Sequence, residues 1–145
     1  MPDSADPTPP PVPSPAANPS GDPSSMDLPP NVAAAIACIP LIGGIIFYIL
    51  EKRNGFVRFY AMQSIIFGGA WFLFYVVASI VGLIFSKAPA IGGFLAGLWG
   101  LVIMLAYLAF VVVWIIATVK AFTNVRWEIP YIGPMASKQV DGAAV

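Results

Sequence analysis

At 145 residues the chain has room for one domain, and its 59% hydrophobic and 10% charged residues lie far from the roughly 45–50% and about 25% of soluble domains. That balance excludes an ordinary soluble domain and points to a membrane. Seven Lys+Arg offset seven Asp+Glu, so the net charge of zero gives no case for a nucleic-acid partner.

Residues 1–30, "MPDSADPTPPPVPSPAANPSGDPSSMDLPP", carry eleven of the fifteen prolines and no Lys or Arg. With little apolar surface to bury, they read as a disordered, acidic, Pro-rich tail with polyproline character. The start is neither basic nor apolar, so it does not read as a cleaved secretory signal.

Three long uncharged intervals follow: 23 residues (28–50), 28 residues (59–86) and 32 residues (88–119). Each exceeds the roughly 20 residues needed to cross a hydrocarbon core about 30 Å thick. The reading is therefore three transmembrane helices, near 31–50, 60–85 and 90–119. Asn31 after two prolines is the expected N-cap of the first, and Pro40 in "PLIGG" should kink it. Asn54 and Gly55 mark the first break and "SKAP", residues 86–89, the second turn. The third interval is too short for two crossings and reads as one tilted helix. Cys38, the single cysteine, lies inside the first interval as a small buried hydrophobe and allows no internal disulfide.

"EKRNGFVRFYAMQS", residues 51–64, is a charged knuckle between two apolar runs. With three spans, Lys87 falls on one side, and Lys52, Arg53, Arg58, Lys120, Arg126 and Lys138 fall on the other. The positive-inside rule then places the knuckle and C-terminus in the cytoplasm and the tail outside. Arg58 is expected to reach lipid phosphates or to pair with Glu51. Gln63 and Ser64 enter the membrane beyond the knuckle and should bond to a neighbouring helix. Gly93, Gly97 and Gly100 give small-residue spacing suited to helix packing within the bundle or to a second copy.

Catalysis in a membrane normally needs ionisable groups facing a wet cavity. The chain has no His, no acidic residue inside a proposed span, no P-loop and no metal-ligand spacing, so no enzyme, cofactor or metal is expected.

"NVAAAIACIP" leading to "GGIIFYILEKRNGFVRFYAMQS", then "VKAFTNVRWEIPYIGPMASK", resembles a family of small, largely uncharacterised bacterial multi-pass membrane proteins. That family is related to the Tic-type channel-like subunit of the chloroplast inner-envelope protein import machinery. The resemblance covers about residues 31–138. It falls on Glu51, Lys52, Val57, Arg58, Phe59, Ala61, Gln63 and Ser64, then on Lys120, Ala121, Trp127, Pro130, Ile132 and Gly133. Family members often carry His where this chain has Tyr60.

The expected fold is thus all-α: an integral membrane bundle of three helices over residues 31–138, between the tail and a short C-terminal tail, 139–145. The expected role is a non-enzymatic subunit or scaffold of a membrane complex in the bacterial inner membrane. An oligomeric channel or protein-translocation component is the alternative. Partners would be the lipid bilayer and a second copy or another membrane protein. The candidate functional surface joins Glu51, Arg58, Gln63, Ser64, Lys120, Trp127, Glu128 and Pro130 at the cytoplasmic helix ends.

Overall fold

A computed structural model of the chain describes residues 23–142. They form five α-helices: α1 Pro30–Ala37, α2 Ile42–Leu50, α3 Gly55–Ser86, α4 Gly92–Phe122 and α5 Ile132–Gly142. α3 and α4 are long and apolar enough to cross a membrane. At 1.5 Å per residue they extend about 48 and 46 Å, well beyond a hydrocarbon core of about 30 Å.

The first apolar interval is not a crossing helix. It is a hairpin of two helices, 8 and 9 residues long, each only about 12–14 Å. Pro40 supplies no N–H to continue α1, and Leu41 adopts a left-handed φ of 61°. The chain therefore reverses where a kink was expected. Both hairpin ends lie at one end of the α3–α4 pair. Asn31 Nδ2 donates to the carbonyl of Phe122 at the close of α4 (3.2 Å). Ser24, just before α1, donates to Glu51, just after α2 (2.7 Å).

The hairpin tip lies beside the middle of the long helices, where its backbone needs partners. Ser64 Oγ donates to the carbonyl of Ile39 (3.0 Å), and Trp114 Nε1 donates to that of Cys38 (2.8 Å). Two glycines allow the close approach. A Cβ on Gly44 would lie 2.7 Å from the carbonyl oxygen of Ala61, and one on Gly68 would lie 2.9 Å from the backbone nitrogen of Leu41.

This arrangement changes several expectations. Of the tail, residues 1–22 lie outside the described residues, whereas Ser24 is buried and Pro30 already opens α1. Asn31 is not a cap: Pro30 fills the first helical position, where a missing N–H costs nothing. The tail-proximal residues share an end with the knuckle rather than opposing it. At the C-terminus, residues 139–142 continue α5 rather than forming a tail.

Burial is concentrated at the hairpin end, where Ala33, Ala34 and Ala37 of α1 meet Val57, Phe59, Tyr60 and Ala61 of α3 and Ala121 of α4. Farther along, among the described residues, α3 and α4 have only one another. Phe67 and Trp71 stack on Phe110, each with centroids 4.4 Å apart. Trp99 reaches over Gly82 and donates to the carbonyl of Ala78 (2.9 Å). The outward surfaces of this helix pair are large and apolar, with Phe72 62% and Phe94 70% exposed, as lipid contact requires. A Cβ added at Gly93, Gly97 or Gly100 would meet nothing within 4 Å among the described residues, so these glycines line no close helix contact there, and of the two expected uses packing against a second copy stays open.

Candidate functional site

The end of the molecule that holds the hairpin's two ends, the base, is built from four returning segments. α3 begins at Asn54, whose side chain accepts from the N–H groups of Phe56 (3.0 Å) and Val57 (3.2 Å). α4 stops through a left-handed residue, Asn124 with φ 58°. The N–H of Val125 bonds to the carbonyl of Lys120 and that of Asn124 to Ala121, the pairing of a Schellman stop. The chain is thereby turned back along the start of α3. After Ile129 a second left-handed residue, Tyr131 with φ 67°, starts α5. Gly133 is required there because a Cβ would collide with Glu128.

Tyr60 and Gln63, one turn apart on α3, hold the returning segment. The Tyr60 hydroxyl donates to the carbonyl of Val125 (2.5 Å) and accepts from the N–H of Trp127 (3.1 Å). Gln63 Oε1 accepts from the N–H of Ile129 (3.2 Å). Replacing Tyr60 by Phe keeps the ring but orphans both backbone groups. We expect Tyr60→Phe to lower stability by about 1–3 kcal/mol and to speed amide exchange at Trp127 before that of the α3 core. Hydrogen-exchange mass spectrometry of the 125–129 segment checks this.

Glu51 organises the opposite edge of the base. It is completely buried, and its carboxylate accepts from Ser24 Oγ (2.7 Å), Ser25 N (2.9 Å), Ser25 Oγ (2.7 Å), Arg53 N (2.9 Å) and Asn54 N (3.0 Å). Burial alone would push its pKa up. The donors, led by the Asn54 N–H and followed by the two serine hydroxyls and the Arg53 N–H, outweigh burial and hold it at about 2. The carboxylate is thus an ionised knot tying the chain before α1 to the loop before α3.

The expected surface is only partly assembled. Gln63 reaches the segment containing Trp127 and Ile129, while Ser64 turns to the hairpin tip. Arg58 does not pair with Glu51; its guanidinium lies over the Tyr48 ring, 5.2 Å from the centroid. Nor does it meet Glu128, which is exposed beside the exposed Pro130. Lys120 lies in the last turn of α4, where its charge suits the helix dipole. Among the described residues the one ion pair is Arg126–Asp141 (3.1 Å), with Arg126 also over the Phe59 ring.

Residues missed in sequence are Ser24, Ser25, Tyr60 and Trp114. Tyr60 had a signal, since a hydroxyl three residues before Gln63 shares its helix face. The two serines carried none. A cavity with room for about one water lies among Cys38, Tyr60, Gln63, Ser64, Trp114 and Ile129. No group of three or more His, Cys, Asp or Glu comes together among the described residues.

Residues 27–136 match the MamF/MmsF family, described as the magnetosome magnetite crystal formation protein family. The chain is 36% identical over 117 residues to a UPF0132 membrane protein of Methanocaldococcus jannaschii, covering 79% of this chain and 92% of the relative. It is 35% identical over 114 residues to a UPF0132 membrane protein of Archaeoglobus fulgidus, covering 77% of this chain and 96% of the relative. No solved structure matches. These two relatives are archaeal, where a bacterial family was expected, and neither name refers to protein import. The expected relation to the Tic-type subunit is not supported by these comparisons. With nearly all of both archaeal proteins covered and the match running from the hairpin into α5, the chain belongs to the MamF/MmsF family of membrane proteins.

Proposed function

We propose that the chain is a non-enzymatic scaffold or subunit of a membrane protein complex, seated in the cell membrane with its base in the cytoplasm. The observation that carries this reading is what the polar motif residues do. Glu51, Asn54, Tyr60, Gln63 and Ser64 each bond to backbone of another segment or a cap, so the motif maintains a shape. Six of the seven Lys and Arg lie at the base and Lys87 at the far turn, a bias that orients the base inward.

The family description concerns magnetite crystal formation. A part in such a process would come through organising membrane partners, because the described residues bring no metal-ligating group together. For conduction by a single copy, the cavity behind the hairpin offers space for about one water, not a passage for an ion or peptide.

The glycine face of α4 supplies the test. Because a Cβ at Gly93, Gly97 or Gly100 would meet nothing within 4 Å among the described residues, Gly97→Ile should leave the melting midpoint of the purified protein unchanged. Cross-linking in cells followed by purification in mild detergent should recover the native chain with a defined membrane partner and Gly97→Ile without it. Recovery of the native chain as a lone monomer refutes the scaffold reading.

A further inference from the structure

We propose that Arg58, with Lys52 and Arg53, forms a docking site for the phosphate headgroup of an anionic phospholipid at the foot of the hairpin. Arg58 lies one turn into α3, on a helix about 18 Å longer than the hydrocarbon core, so it falls in the headgroup layer. Its Nε is buried and has no hydrogen-bond partner among the described residues. The guanidinium is held against the Tyr48 ring, which fixes its plane and leaves its donors without a carboxylate.

The nearby acid that could have neutralised it is already committed. Both Glu51 oxygens are taken up by Ser24, Ser25, Arg53 N and Asn54 N, and none of these bonds comes from Arg58. Lys52 and Arg53, in the loop preceding α3, are exposed and form no ion pair among the described residues. Three cations therefore stand beside a carboxylate that cannot answer them. Directly adjoining is the outer face of α2, with Ile45, Ile49 and Leu50 45%, 63% and 52% exposed. A planar donor group above, aliphatic surface below and two further cations at the rim match a phosphodiester with acyl chains better than a carboxylate or a soluble anion. A phosphate oxygen would accept from the terminal Nη groups of Arg58, Nε being buried, while its chains lie along α2.

The test is lipid retention by the full-length protein in detergent, read by native mass spectrometry after exposure to phosphatidylglycerol or phosphatidylcholine. The native chain should retain phosphatidylglycerol preferentially. Arg58→Gln should cut that preference about fivefold, the scale of one cation at an anionic surface. Arg58→Lys should restore part of it, and Lys87→Gln at the far end should change nothing. Equal retention of both lipids by the native chain, or an unaltered preference in Arg58→Gln, overturns the site. Displacement of the lipid by millimolar inorganic phosphate reassigns it to a soluble anion and overturns the lipid. Should Arg58→Gln fail to fold, the Lys52→Gln/Arg53→Gln loop variant replaces it, and an unchanged preference there is equally fatal.

Discussion

Glu51→Ala is expected to lower the unfolding free energy by about 3 kcal/mol, more than loss of any exposed polar side chain. Five donors from four residues converge on this carboxylate, and removing it leaves them to water or to nothing. The Ser24 and Ser25 bonds are the ones that fasten the chain preceding α1. Protease cleavage ahead of α1 should therefore accelerate in the variant, while α3 and α4 remain protected. Glu51→Gln keeps the shape and one acceptor oxygen, so it should fall between the native chain and Glu51→Ala. The effect has a pH signature with a definite sign. The folded-state pKa, about 2, lies below the ordinary 4.5, so the carboxylate's contribution is complete above about pH 5. It is lost as pH falls through the interval toward 2. Unfolding midpoints measured from pH 6 to pH 3 should drop in the native protein and stay flatter in Glu51→Ala. Parallel profiles would show that the knot contributes nothing.

Single-cysteine labelling should give an all-or-none result. In intact cells a membrane-impermeant maleimide should modify Lys87→Cys, but reach Leu28→Cys and Lys138→Cys only after permeabilisation. The native Cys38 is buried and should stay silent in both conditions. Leu28 precedes the hairpin and Lys138 lies in α5, so the two should behave alike, because the chain enters and leaves the hairpin at one end. Three full crossings would pair Leu28 with Lys87 instead. Labelling of Leu28→Cys together with Lys87→Cys, while Lys138→Cys stays silent, would therefore overturn the hairpin.

The two long helices were legible from sequence because an uncharged run of 28 or 32 residues has few other uses in a chain this apolar. Asn54 as the boundary before α3 was legible for the same local reason that makes it a cap. The hairpin was not. Residues 28–50 pass the same length test, and Pro40 by itself predicts only a kink. Reversal depends on Leu41 adopting a left-handed conformation and on acceptance of the tip carbonyls by Ser64 and Trp114, 25 and 76 residues from their partners. Counting charges cannot reveal such distant bonds. Gly93 and Gly97 mislead in another way: their spacing allows a neighbour to approach without saying whether that neighbour belongs to the same chain. Arg58 and Glu128 were grouped by a shared end of the molecule, yet Tyr48 captures the arginine first.

The dependence of the hairpin tip on Ser64 and Trp114 sets an order of assembly during biosynthesis. Residues 30–50 leave the ribosome before α3 and α4, but neither 8 nor 9 helical residues suffice for a crossing, and the opened backbone at Cys38 and Ile39 is costly in lipid until partnered. One partner belongs to α3 and the other to the final third of α4, so the hairpin must wait at the interface until both later helices have been inserted. Ribosome-bound chains ending before Trp114 should carry the element without its lock. The earliest-made part of the membrane domain is accordingly its last to mature.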